Sequence, residues 1–184
     1  MRITSKKEKR LWISTLVVIT GIYLTIGITQ PVSNILQSYG LLTPFFFLGM
    51  LLVGLTIISY GINISPNKST VAVLLGIAAV YLMVFVRIEI PQERTHIIEY
   101  GVVAALIYQA FLERKKQGEK VHLPAVFAIL ATAVVGTTDE LIQGIMPNRV
   151  FDVRDILFNF LAGMMSVGSI VALNWVSKRR KEKK

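Results

Sequence analysis

Residues Leu123–Met146 decide the fold, and they read LPAVFAILATAVVGTTDELIQGIM. No charged side chain occurs before Asp139, and as an α-helix the run is long enough to cross a hydrocarbon core about 30 Å thick. Five further apolar stretches run Leu11–Ile28, Phe45–Ile64, Val71–Ile88, Ile97–Leu112 and Val153–Val176. The sequence therefore predicts an all-α, polytopic transmembrane helical bundle with about six spans.

The composition agrees with a membrane protein. Of 184 residues, 53% are hydrophobic and only 17% are charged, whereas soluble domains carry about 25% charged residues. The absence of cysteine excludes disulfides, thiolate metal sites and a cysteine nucleophile. The net charge of +9 comes from lysines and arginines at the ends of the apolar stretches, a pattern typical of membrane topology. We therefore expect membrane lipids, and no nucleic acid, as partners.

Prolines and basic residues mark the connections. All six prolines fall between the apolar stretches or at their edges, so we expect each in a connection or the first turn of a helix. With six spans, one side of the membrane holds 16 of the 20 lysines and arginines, and the other side has a formal charge of −3. The positive-inside rule then predicts that both termini are cytoplasmic in a multi-pass protein of the cytoplasmic (plasma) membrane.

Ionisable residues cluster where the fourth stretch begins, on the predicted outer side. His96, Glu99 and Tyr100 have i, i+3, i+4 spacing and share one helical face. Imidazole can carry a proton in catalysis, and Glu99 could orient it. The alternative is a helix start whose carboxylates complement the helix dipole.

The fifth and sixth stretches add acidic residues at the same side. Asp139, Glu140 and Gln143 end the fifth stretch, while Asp152, Asp155 and Asn159 share a face of the sixth. Arg149 lies in the short connection and could bridge two carboxylates. These groups could simply lock three helices together. However, the carboxylates outnumber the cations, which also leaves room for a cationic ligand.

Several familiar catalytic patterns are absent from the sequence. There is no phosphate-binding glycine loop, H-E-x-x-H pair or G-x-S-x-G elbow. No cofactor is predicted. A metal site would need His96 together with carboxylates from other helices, so metal binding and catalytic activity both stay open.

Taken in order, these motifs resemble the VanZ-like family of bacterial membrane proteins. The matching residues are His96, Glu99, Tyr100, Asp139, Glu140, Gln143, Pro147, Arg149, Asp152, Asp155 and Asn159. The resemblance covers about Thr70–Ala172. It divides the chain into a basic tail with two helices (1–69), a four-helix VanZ-like domain (70–176) and a basic cytoplasmic tail (177–184). Two positions depart from the pattern: Ile142 stands where relatives often carry histidine, and Ala162 where glycine is expected.

The resemblance implies a cell-envelope role, with low-level resistance to teicoplanin-type glycopeptides as the family's namesake property. Our first hypothesis is a non-enzymatic protein whose acidic outer-face site binds or excludes an amphiphilic, partly cationic or lipid-linked envelope ligand. The second is an intramembrane enzyme acting on a lipid-linked envelope precursor or lipid headgroup, with His96 or Glu140 as general base and Arg149 on a phosphate. A small transporter or a partner-dependent subunit is the third, and the absence of an inverted repeat disfavours the transporter.

Overall fold

The computed structural model describes residues 3–45, 47–48, 51, 68–87, 91–147 and 150–182. Within these ranges every regular element is helical and no strand occurs. The helices are α1 (Lys6–Ser38), α2 (Lys68–Arg87), α3 (Pro91–Lys116), α4 (Pro124–Ile145) and α5 (Val153–Glu182). The predicted all-α class is confirmed.

Four of the described helices are long and apolar enough to cross a membrane. These spans are Lys6–Ile28, Thr95–Lys116, Pro124–Ile145 and Val153–Arg179, whereas the apolar part of α2, Ser69–Val84, is shorter. Most of the second predicted stretch, Phe45–Ile64, lies outside the described residues. The count of six spans and the cytoplasmic position of both termini therefore stay predictions.

Two prolines lie at helix starts as expected, whereas a third lies inside a helix, where no proline was expected. Pro91 and Pro124 are the first residues of α3 and α4, where a missing N–H costs nothing. Pro31, which we expected in a connection, instead lies inside α1. That expectation was wrong because a proline removes only one helical hydrogen bond and distorts one turn, so the flanking turns can continue. Pro31 also lies beyond the apolar span, which ends at Ile28.

The chain forms two compact units. The first comprises residues 1–30 and 95–167, and the second comprises residues 31–94 and 168–184. In the first unit α3 carries much of the core, where five side chains at helical spacing are at most 3% exposed: Ile97, Tyr100, Val103, Ala104 and Ile107. Helices α3 and α5 approach closely at Gly101, whose carbonyl oxygen accepts a 2.7 Å hydrogen bond from the Ser166 hydroxyl.

The second unit contains the rest of α1, α2 and the end of α5. Its described part includes Tyr81 of α2, which lies within hydrogen-bonding reach of Ser169 in α5. Near the end of α5 the Arg179 guanidinium lies 3.9 Å from the centre of the Trp175 ring, a cation–π contact. Residues 177–182, predicted as a tail, continue α5 as helix.

Candidate functional site

Polar side chains from three helices meet in the first unit, where α3 and α5 begin and α4 ends. We call this group the polar cluster; its members are His96, Glu99, Tyr100, Asp139, Glu140, Gln143, Asp155 and Asn159. Six of them are buried, and Glu99 and Asp155 are half-buried. The structure thus brings together residues that the sequence analysis assigned to three separate segments.

Tyr100 joins α3 to α4 within the polar cluster. Its hydroxyl donates a 2.6 Å hydrogen bond to Asp139 Oδ2, and neither side chain is more than 1% exposed. The His96 ring stacks on the Tyr100 ring at 5.9 Å between centroids with an interplanar angle of 9°. The shared face predicted for these two α3 residues is therefore present and turned toward the interior.

His96 approaches a carboxylate on another helix. Its Nε2 lies 3.6 Å from Asp155 Oδ2 at the start of α5. The spacing on α3 predicts a pairing of His96 with Glu99, and these two residues do interact electrostatically. The contact with Asp155 adds a second carboxylate, which lies on another helix. This arrangement leaves Nδ1 as the second ring nitrogen, and it is buried without a hydrogen-bond partner among the described residues.

Glu140 connects the end of α4 to the start of α5 through a hydrogen bond. The backbone N–H of Asp152 donates a 2.6 Å hydrogen bond to Glu140 Oε1. The side chain of Asp152 has a different role, since its Oδ1 accepts a 2.8 Å bond from the N–H of Arg154. Asp152 directly precedes α5, so it is the N-cap of that helix rather than a member of the inward face on which we had placed it.

Asn159 packs against a glycine of α4. A Cβ at Gly136 would lie 2.6 Å from the Asn159 Cβ and 2.7 Å from its Nδ2, so only glycine leaves room for this side chain. One turn further along α5, a Cβ at Gly163 would lie 3.7 Å from the Thr132 Cβ. Ala162, the position that departs from the VanZ-like pattern, is fully buried.

Several polar atoms of the cluster are buried without a hydrogen-bond partner among the described residues. They are His96 Nδ1, Asp139 Oδ1, Glu140 Oε2, Asn159 Oδ1 and Asn159 Nδ2. Leaving such a group unsatisfied costs about 1–3 kcal/mol, and more for a charged group. A group of unsatisfied buried polar atoms is typical of sites that bind a ligand or move protons.

Three further predictions concern this region. Arg149, proposed to bridge the carboxylates, lies outside the described residues. Ile142 is 36% exposed on α4, so the departure from the VanZ-like pattern falls on a side chain that is not buried with the cluster. Among the described ranges, no three histidine, aspartate or glutamate side chains are grouped so as to hold a metal ion.

The first helix contributes a residue that sequence reasoning missed. The Tyr23 hydroxyl donates a 2.9 Å hydrogen bond to the carbonyl oxygen of Val135 and lies within reach of the Thr138 side chain. Val135 is one turn before Asp139, so α1 packs beside the segment that carries the carboxylates. A hydrogen bond to a backbone carbonyl leaves no pattern in the sequence, which is why Tyr23 went unnoticed.

A second buried polar group, also missed, lies at the other end of α3. The Glu8 carboxylate is fully buried and accepts hydrogen bonds from Thr4, Trp12 and Arg114. Arg114 follows His96 by 18 residues, or about 27 Å along a helix. The sequence does contain one signal for this group, because Ser5 and Glu8 have the S-x-x-E spacing of a capping box. In the structure the Ser5 hydroxyl accepts a hydrogen bond from the Glu8 N–H.

Comparison with known proteins identifies a family that the chain matches. A family model described as VanZ/LLP1 matches residues 12–174, which is most of the chain. The matched region begins in α1 and so includes the N-terminal part that the motif resemblance did not reach. No curated protein and no solved structure matches the chain significantly.

Proposed function

Because the chain belongs to the VanZ/LLP1 family, we propose that it is a cell-envelope membrane protein whose polar cluster binds the cationic head of an amphiphilic ligand. A teicoplanin-type lipoglycopeptide is one example of such a ligand, and low-level resistance would be the phenotype. One observation carries the proposal: the adjacent buried carboxylates of Asp139 and Glu140 each keep one oxygen without a partner among the described residues.

The charge of these carboxylates supports a cationic ligand. In the described part of the chain, neither Asp139 nor Glu140 forms an ion pair with a lysine or arginine. An isolated carboxylate is very costly to bury in an apolar medium. A positively charged group bound at these carboxylates would offset that cost and gain charge-assisted hydrogen bonds.

The surroundings of the cluster suit the apolar part of an amphiphile. Exposed apolar side chains flank the polar cluster on α4, α5 and the connection between them: Leu141, Ile145, Val150, Val153 and Leu157. Exposed apolar surface beside a polar site is typical of contact with lipid or with a hydrocarbon tail. We therefore expect affinity for ligands that combine a cation with a lipid chain.

A susceptibility test decides whether this site acts in the envelope. A deletion strain is complemented with the wild-type chain, with Glu140→Gln or with Glu119→Gln, and exposed to glycopeptides with and without a lipid tail. Glu140→Gln keeps the oxygen that accepts from Asp152 and removes the charge, whereas Glu119 is an exposed carboxylate away from the cluster.

The expected result is protection against the tailed drugs by wild type and Glu119→Gln, with loss of protection in Glu140→Gln at equal protein level. Equal protection by all three variants would contradict a role for the polar cluster in binding. If wild type gives no protection, the protein does not confer glycopeptide resistance, and its ligand must be another amphiphile of the envelope.

The contact between His96 and Asp155 favours a second function, an intramembrane enzyme acting on a lipid-linked precursor or headgroup. A carboxylate beside one ring nitrogen orients the imidazole so that the other nitrogen can act as general base. Purified protein would then turn over such lipids, and His96→Gln would lose at least about 100-fold in rate. If purified wild type forms no product from any envelope lipid class, this alternative fails.

A further inference from the structure

We infer that the polar cluster binds a primary ammonium group, with one N–H donated to each of three acceptors: Asp139 Oδ1, Glu140 Oε2 and Asn159 Oδ1. The inference rests on the proposed function and adds the chemical class of the cation. All three acceptors are buried and have no hydrogen-bond partner among the described residues. An ammonium carries three donors and no acceptor, so it can donate one N–H to each of these three oxygens.

Each carboxylate has one oxygen held by the protein and one oxygen left for a ligand. Asp139 Oδ2 accepts from the Tyr100 hydroxyl at 2.6 Å, and Glu140 Oε1 accepts from the Asp152 N–H at 2.6 Å. These bonds fix both carboxylates in orientation before any ligand arrives. Preorganised acceptors lose less side-chain entropy on binding, which favours affinity.

Asn159 gives an observation that is independent of the acidic pair. Its uncharged amide is fully buried, and both of its polar atoms lack partners in the described ranges. The amide lies over Gly136, where a Cβ would be 2.7 Å from Nδ2. Gly136 precedes Asp139 by three residues and Glu140 by four, so each of the two acidic positions is a neighbour of Gly136 on α4. The amide is therefore held about one helical turn from the two carboxylates.

The donor pattern separates an ammonium from other cations. A quaternary ammonium carries the same charge but has no N–H to donate, and a guanidinium presents a planar fork that suits two oxygens of one carboxylate. Here the acceptors belong to three different side chains. An aminolipid headgroup, the amine of a lipoglycopeptide and a small free amine all supply the required group.

A matched pair of probes tests the inference on the intact protein. Thermal unfolding of the purified chain in a non-ionic detergent is followed with dodecylamine and with dodecyltrimethylammonium, which share chain length and charge. Dodecylamine should raise the unfolding temperature at a concentration about tenfold lower than its trimethylated counterpart. Ethylamine shows whether the apolar tail is needed, and phosphatidylethanolamine against phosphatidylcholine extends the comparison to lipids.

Substitutions in the polar cluster test whether dodecylamine raises the unfolding temperature by binding there. Asp139→Asn and Glu140→Gln keep the acceptors used by Tyr100 and Asp152 and should reduce the response to dodecylamine about tenfold, while Glu119→Gln should respond as wild type does. The comparison of the two probes on wild type needs no variant, so it stands even if a substitution unfolds the protein.

The outcomes separate this inference from the proposed function. An equal response to both probes would overturn the ammonium inference and leave a cationic amphiphile site in place. A preference for dodecylamine that survives in both Asp139→Asn and Glu140→Gln would also overturn it. No response to either probe, together with a Glu140-dependent susceptibility phenotype, would overturn the inference alone. No response and no such phenotype would overturn both.

Discussion

Tyr100 and Asp139 are 39 residues apart in the sequence and are joined by a hydrogen bond of 2.6 Å between the tyrosine hydroxyl and Oδ2. Both side chains are buried, so water cannot replace this bond. Tyr100→Phe should therefore lower the free energy of unfolding by about 1–3 kcal/mol, because it leaves a carboxylate oxygen without its donor. Thermal or denaturant unfolding in detergent measures the change.

Tyr39→Phe is the matched control for that substitution. Tyr39 is 76% exposed near the end of α1, so loss of its hydroxyl should change the stability by less than about 0.5 kcal/mol. Equal effects of the two substitutions would mean that the bond between Tyr100 and Asp139 contributes nothing specific.

Gly136→Ala should be destabilising. The added methyl group would lie 2.6 Å from the Asn159 Cβ, so α4 and α5 must separate or Asn159 must move. Overpacking of this kind costs about 1–3 kcal/mol. Gly21→Ala is the control in another helix of the same unit, because nothing lies within 4 Å of the added atom, and it should raise stability by about 0.5–1 kcal/mol. The sign of the two changes should differ, and destabilisation of the same size at both positions would contradict the close packing.

Asp152 allows a capping role to be separated from a ligand-binding role. Asp152→Ala removes the N-cap of α5 and should cost about 0.5–2 kcal/mol, while Asp152→Asn keeps a capping oxygen and should be nearly neutral. If the charge of Asp152 were needed for ligand binding, Asp152→Asn would lose protection in the susceptibility test in spite of normal stability. We expect it to retain protection.

Arg114 compensates a buried charge in the second polar group. Its Nη1 lies 3.4 Å from Glu8 Oε1, and Glu8 is fully buried. Arg114→Met should lower the free energy of unfolding by about 1–3 kcal/mol, and Glu8→Gln in the same chain should recover part of the loss. Lys115→Met, an exposed neighbour, should have little effect. If the stability losses of Arg114→Met and Glu8→Gln simply add in the double mutant, the pairing of the two side chains is contradicted.

The orientation of the site can be read with single cysteines, since the chain has none. Val150 is 85% exposed between α4 and α5, and Glu119 is exposed between α3 and α4. A membrane-impermeant maleimide added to intact cells should label Val150→Cys and should label Glu119→Cys only after the membrane is permeabilised. The reverse pattern would place the polar cluster on the inner side and contradict the proposed function.

Helix positions were largely predictable because their signals are local. Pro91 and Pro124 begin helices, and four of the predicted apolar runs overlap the four spans. Pro31 shows the limit of such signals, since one missing N–H does not outweigh the bonds on either side of it. The residues of the polar cluster could also be named, because carboxylates inside apolar stretches are costly and therefore conspicuous.

The pairing of those residues could not be predicted. Spacing places His96 and Glu99 on one face, but it does not tell which helix packs against that face, so the approach of Asp155 to His96 could not be foreseen. The same holds for Tyr23, whose partner is a backbone carbonyl, and for Glu8, whose cation is 106 residues away. Tertiary proximity decides each of these contacts.

The bond between Glu8 and Arg114 also constrains how the protein is made. A ribosome builds the chain from the N-terminus, so the Glu8 carboxylate is synthesised long before the guanidinium that will face it. Until α3 is complete, the start of α1 has only its local partners Thr4, Ser5 and Trp12. The contact between Glu8 and Arg114 can therefore form only after α3 has been synthesised.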